Sequence, residues 1–167
     1  TDRTTTYTRD ATEYSLSPDE KFATITVHGE IFLTKVPDGG KSTQLTKSPA
    51  LDHGVAWAPD GKSIIFLSDR SGHEDLYSLE PDDVEHPTLT TAHQFKVKQL
   101  TNSPEAESAA TFSPDGKRIV FMRSGKLWSM NPDATDLKAI VDKSSVMDYD
   151  WSPDGKWIVY ARSDPSY

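Results

Sequence analysis

The sequence predicts an all-β fold, a β-propeller of four-stranded antiparallel blades, on three observations. One turn signature recurs four times: Leu16-Ser17-Pro18-Asp19, Trp57-Ala58-Pro59-Asp60-Gly61, Phe112-Ser113-Pro114-Asp115-Gly116 and Trp151-Ser152-Pro153-Asp154-Gly155. A β-branched or aromatic triplet follows each signature, and shorter strand-like runs follow the first three triplets. No segment shows the apolar periodicity of an amphipathic helix. Four short strands per unit of about 40 residues, repeated, is the pattern of a propeller. A sandwich or barrel of unrelated hairpins has no reason to reuse one turn at one phase.

The prolines set the count. Pro18, Pro59, Pro114 and Pro153 are separated by 41, 55 and 39 residues. Leu45-Thr46 lies 27 residues after Pro18, whereas Leu100-Thr101 lies 41 after Pro59, so 14 extra residues fall inside the second unit. The expected organisation is therefore 1–10 as the last strand of a preceding blade, with Thr4–Thr8 as its core. A blade at 11–48, a blade at 49–103 with an insertion at 80–95, a blade at 104–143 and a partial blade at 144–167 follow.

Each unit follows from its residues. The first strand leads into Leu16, Trp57, Phe112 or Trp151, which are assigned to packing between blades. Proline then pre-sets φ for a tight turn, Asp tolerates the next position, and Gly accepts the positive φ that ends it. Glu20 stands where the sister turns have Gly61, Gly116 and Gly155, and a non-glycine residue there costs about 1–2 kcal/mol. The second strands are Ala23-Thr24-Ile25, Ile64-Ile65-Phe66, Ile119-Val120-Phe121 and Ile158-Val159-Tyr160, all strand-forming in type. The third runs end in Ile31-Phe32, Leu76-Tyr77 and Leu127-Trp128. The fourth are Ser42–Thr46, Lys96–Thr101 and Leu137–Val141. The result is an arc of three full blades with partial ones at its ends, and an open arc leaves unpaired sheet edges. Membership of a larger ring and closure by two arcs both satisfy the pattern; a four-bladed ring with Thr4–Thr8 beside Trp157–Ala161 is a third option and lacks one strand.

Composition removes several function classes. The 167 residues carry 18 basic and 26 acidic side chains, a formal net charge of −8, and suit one domain. An acidic chain without a basic cluster is a poor ligand for nucleic acid. No apolar run approaches the ~18 residues of a membrane span, so no membrane insertion is expected. The chain opens at Thr1 with no basic-plus-apolar leader, as in a processed protein or a segment of a longer one. Cysteine is absent, which removes disulfides and thiolate chemistry.

Candidate chemistry is sparse. His28, His53, His73, His86 and His93 form no compact metal pattern, since zinc ligands come in tighter pairs. The nearest two, His86 and His93, are seven apart, and all five read as solvated loop histidines. No Gly-x-Ser-x-Gly elbow exists, and a nucleophile needs a positioned base. Ser17, Ser113 and Ser152 are assigned to bonding the local backbone of their turns. Asp19, Asp60, Asp115 and Asp154 recur once per blade, as turn caps do and convergent calcium ligands do not. No catalytic residue, cofactor or metal is assigned. Glu13, Asp52, Glu107 and Asp148 enter the first strands, which line a propeller's channel. They are the candidates for an acidic rim at one mouth, attracting cations or the amino end of a peptide.

The turn Trp151-Ser152-Pro153-Asp154-Gly155-Lys156 with its apolar triplet resembles the TolB-type propeller repeat. Phe66-Leu67-Ser68-Asp69-Arg70-Ser71-Gly72-His73-Glu74-Asp75-Leu76-Tyr77 resembles that repeat's link between second and third strands. Tyr7 through Asp19 and Gly125-Lys126-Leu127-Trp128-Ser129-Met130 are similar to the N-terminal propeller of tricorn-like serine peptidases. Glu20 and the insertion depart from the repeat. The resemblance implies a ring of six or seven blades. It also implies a non-catalytic segment that docks or gates peptide substrate for a catalytic domain elsewhere. The alternative is a TolB-like periplasmic scaffold that binds proteins. Expected partners are a peptide or protein, with self-association or contact with the rest of a larger chain. The compartment stays open between bacterial cytoplasm and periplasm.

Overall fold

The structure, a computed structural model, describes residues 10–143 and 145–163. The strand expected at Thr4–Thr8 lies outside the described residues. The first sheet comprises β1 (Ala11–Leu16), β2 (Phe22–Val27), β3 (Glu30–Lys35) and β4 (Thr43–Gln44). The second comprises β5 (Asp52–Trp57), β6 (Ile64–Ser68), β7 (Asp75–Pro81) and β8 (Phe95–Gln99). The third comprises β9 (Glu107–Phe112), β10 (Ile119–Arg123), β11 (Lys126–Met130) and β12 (Lys138–Val141), and the last pairs β13 (Ser145–Trp151) with β14 (Ile158–Ser163). Chain neighbours are sheet neighbours throughout, an antiparallel meander in each case. Among the described residues there is no helix and no closed sheet, and the architecture is a partial β-propeller.

The turns between first and second strands explain themselves chemically. Gly61, Gly116 and Gly155 have φ of 71, 70 and 68°. Glu20 has φ 58°, so it adopts the same left-handed conformation without glycine's freedom. In the first turn the Ser17 hydroxyl donates to Asp19 Oδ1 at 2.7 Å and accepts from the Phe22 amide at 3.0 Å. Ser113–Asp115 and Ser152–Asp154 repeat the pattern at 2.7 and 2.6 Å. These serine hydroxyls hold the Asp19, Asp115 and Asp154 carboxyls below the usual carboxylate range, with help from the amides of Lys21, Lys117 and Lys156. Ala58 has no hydroxyl, and in that turn the Lys62 amide donates to Asp60 Oδ1 at 3.0 Å. Successive turns also touch. A methyl group on Gly116 would lie 3.5 Å from Pro59 Cδ, and one on Gly155 would lie 3.4 Å from Pro114 Cδ. Gly61 faces Pro18 in the same way.

The core lies between sheets rather than within one. Successive side chains of a strand point to opposite faces. Accordingly Ile64 and Phe66 join Ile31 and Leu33 between the first two sheets, while Ile65 and Leu67 join Ile119 and Phe121 between the second and third. Val120 and Leu127 meet Val146 of the last sheet. A strand buried on both faces reads as a near-continuous apolar run rather than an alternating one, as Ile64-Ile65-Phe66-Leu67 and Ile119-Val120-Phe121 do. Each such side chain contributes about 1.5–3 kcal/mol by burial.

Backbone bonds tie each sheet to the one before. The Asp52, Glu107 and Val146 amides donate to the carbonyls of Gly29, Glu74 and Gly125 at 2.8, 3.1 and 2.7 Å, all in the preceding link between second and third strands. The Trp57 indole donates to the Ser15 carbonyl at 3.2 Å across the same gap. The extra residues of the second unit leave the sheet beyond the Pro81–Phe95 pair. The Asp82 amide closes their neck on the Gln94 carbonyl at 2.9 Å. Leu89 at their tip is buried in the core of the first two sheets.

Candidate functional site

The four acids singled out in the sequence fall into two columns. Asp52 and Glu107 stand seven residues before Pro59 and Pro114, whereas Glu13 and Asp148 stand five before Pro18 and Pro153. An irregularity in each first strand separates the columns, at Ala11/Glu13, His53/Ala56, Ser108/Thr111 and Val146/Asp148 of the paired registers.

The Asp52–Glu107 column is buried and paired. Arg70 Nη2 reaches both Asp52 carboxylate oxygens, at 2.8 and 2.9 Å. Arg123 donates through Nε at 2.9 Å and through Nη2 to Glu107 Oε1, while Thr101 donates to Oε2 at 2.6 Å. Each guanidinium also lies over two rings: Arg70 on Phe66 and Tyr77, Arg123 on Phe121 and Trp128. Burial pushes the Glu107 carboxyl up, against the opposing hydrogen bonds of Thr101 and Arg123. A buried charge of this kind requires its partner, so breaking either pair strands the other member.

The other column keeps solvent access. Glu13 Oε2 accepts the Gly54 amide at 2.9 Å, and Oε1 lies 4.0 Å from His53 Nδ1. His53 Nε2 contacts Glu74 Oε1, so this imidazole sits between two carboxylates on β5 rather than in a solvated loop. Asp148 is exposed and accepts the Tyr149 amide at 2.8 Å. Beside the turns, a groove of about 390 Å³ is lined by Pro18, Phe22, Trp57, Pro59 and Leu89, among others.

The insertion holds what the sequence reading missed. His86 and His93, read as separate solvated histidines, are brought together with their ring centroids 4.7 Å apart and edge to face. Both Nδ1 atoms face Asp83. The only signal in the sequence is Asp83-x-x-His86, a spacing that a turn folds onto one side. His93 arrives from the returning leg, which spacing alone does not show. His28 lies 3.9 Å from Asp10 Oδ1 at an exposed position, and His73 is exposed in the link between β6 and β7.

Meander sheets fanned side by side, with their cores between them and proline-led turns in register, define a β-propeller segment. Among solved structures, TolB from Acinetobacter baumannii matches with a TM-score of 0.74 over 94% of this chain and 39% of that one, at 22% identity. An uncharacterized protein of Agrobacterium fabrum is 28% identical over 165 residues, 91% of this chain and 51% of its own length. The Tol-Pal system protein TolB of Bordetella pertussis is 38% identical over 53 residues, 32% of this chain and 12% of that protein. The chain thus spans about half the length of the first of these curated relatives. No family model matches it. Its fold is that of a TolB-like β-propeller. Among the described residues no helix is long and apolar enough to cross a membrane.

Proposed function

We propose that the chain is a non-catalytic protein-contact segment, a TolB-like scaffold whose outer sheet face receives another propeller blade. One observation carries this reading. Ile65, Val120 and Val159 occupy the same place, six residues after their turn prolines. Ile65 faces the third sheet and Val120 the last one, with exposures of 1% and 0%. Val159 is 69% exposed. Met147 on β13 and Trp157 beside β14 are exposed as well. The face of β14 therefore has the chemistry that elsewhere in this chain is covered by the next sheet, and repeat units bury such faces only by stacking. In the purified chain the occupant is a blade of a second copy.

Docking or gating of peptide for a tricorn-like peptidase rests on the sequence resemblance and draws no support from the relatives above. An acidic channel mouth belongs to the same reading of function. With Asp52 and Glu107 paired to arginines, the members left to such a rim are Glu13 and Asp148.

Light scattering after size exclusion tests the contact. The chain is expected at twice its 18.5 kDa, and Val159→Lys is expected to return it to the monomer. A wild-type chain that stays monomeric at high concentration overturns the reading.

A further inference from the structure

The insertion between β7 and β8 gathers three ligand-type side chains that strand pairing does not need. We propose that Asp83, His86 and His93 form a binding site for a borderline divalent transition metal of the zinc kind. Asp83 Oδ2 lies 3.2 Å from Nδ1 of His86 and 3.2 Å from Nδ1 of His93. One donor atom from each of the three lies within 4.8 Å of the others. Bonds of about 2.0–2.1 Å on a tetrahedral ion place neighbouring ligand atoms about 3.3 Å apart. Both carboxylate-to-imidazole edges already have that length. Rotation of the exposed His93 ring closes the third.

The carboxylate is held in place before any ion arrives. Asp83 Oδ1 accepts the amides of Glu85 and His86 at 3.2 and 3.1 Å, and Oδ2 accepts the amide of His93 at 3.2 Å. The neck bond from Asp82 to Gln94 and the buried Leu89 fix the two legs of the insertion. The Asp83 side chain is 16% exposed, that of His86 42% and that of His93 73%, so the site opens outward and an ion can enter. On metal binding each Nδ1 offers its lone pair and the ring proton resides on Nε2.

Donor chemistry selects the ion. Two imidazoles and one carboxylate suit zinc, cobalt, nickel or copper, whereas calcium and magnesium prefer oxygen ligands. Three protein ligands leave the fourth position open to water or to a donor from a partner. The ion would bridge residues 83 and 93, clip the two legs together and hold Leu89 in its slot. It would thereby fix the wall of the groove that Thr88, Leu89 and Thr90 help to line.

Calorimetric titration of the whole chain with zinc chloride near neutral pH tests this, with calcium and magnesium as comparison ions. One zinc per chain is expected, with no heat from calcium or magnesium. His86→Ala and His93→Ala are each expected to weaken binding at least about tenfold, and the double variant to abolish it. His73→Ala, outside the cluster, is expected to bind as wild type does. Because His93 is largely exposed, the metal-free His93→Ala protein should melt with the wild type, which separates loss of a ligand from loss of the fold. Zinc should slow proteolysis within 82–94 in the wild type and leave the double variant unchanged. Absence of a zinc heat, or equal affinity in the double variant, overturns the site whatever the chain's oligomeric state.

Discussion

At the level of single residues, Glu20 shows a cost that a change of side chain can remove. It holds φ 58° in a turn whose sisters use glycine at 68–71°. Replacing it with glycine relieves about 1–2 kcal/mol of left-handed strain and returns part of that through the freer unfolded chain, about 0.4–1 kcal/mol. Glu20→Gly is therefore expected to stabilise the fold by about 0.5–1 kcal/mol. Gly116→Ala, which adds both strain and a contact on Pro59, is expected to destabilise it. Thermal melts of the two variants check the pair; an unchanged or lowered midpoint for Glu20→Gly contradicts the strain argument. The Glu20 departure was legible because four turns could be laid over one another. The pairing of Asp52 with Arg70 and of Glu107 with Arg123 was not. Those contacts depend on which residue of a second strand, or of the link after it, stands opposite the acid, and on the irregularity that shifts the register between the two acid columns. No spacing along one strand reveals that.

Among elements, Tyr149 on β13 locks the last sheet to the third. Its hydroxyl lies 2.7 Å from the Val120 carbonyl, contacts the Ala109 carbonyl and lies 3.0 Å from the Thr111 hydroxyl. Burial pushes its pKa up to about 12. In the unfolded chain a tyrosine titrates near 10. The folded value is raised, so the protonated form is favoured by folding. The associated stability is complete below about pH 10 and is lost as pH rises through about 12. Tyr149→Phe is expected to cost about 1–2 kcal/mol near neutral pH, the worth of its hydrogen bonds. The wild type should also lose stability more steeply than the variant between about pH 10 and 12. Urea unfolding across that range checks both; parallel pH profiles would contradict the lock. Strands β2, β6 and β10 were readable because apolar triplets and proline turns mark them without tertiary information. The insertion's shape was not, since Leu89 is fixed by a core that the insertion's own residues do not encode.

For the whole molecule, the imidazoles of His53, His86 and His93 face carboxylates rather than a serine hydroxyl. A triad-type nucleophile needs a serine hydroxyl on the second ring nitrogen as well as the carboxylate on the first. The purified chain is expected to leave fluorogenic peptides intact; turnover that disappears on changing one serine would contradict this. The blade plan was legible because repetition is visible in a single sequence, whereas any partner for the exposed face of β14 would be a property of another surface. The proline-on-glycine contacts have a consequence for how such a chain can change in length. Pro18 lies beside Gly61, Pro59 beside Gly116 and Pro114 beside Gly155, close enough that an added methyl group would rest on the proline. This close step helps to hold the angular increment between successive units. Any residue added or lost on that rim would change the increment and open the fan. Additions on the link between third and fourth strands leave it untouched, and that is where the second unit carries its extra residues. The rim works as a gauge, and a unit could be duplicated or excised between two prolines without altering the curvature of the rest.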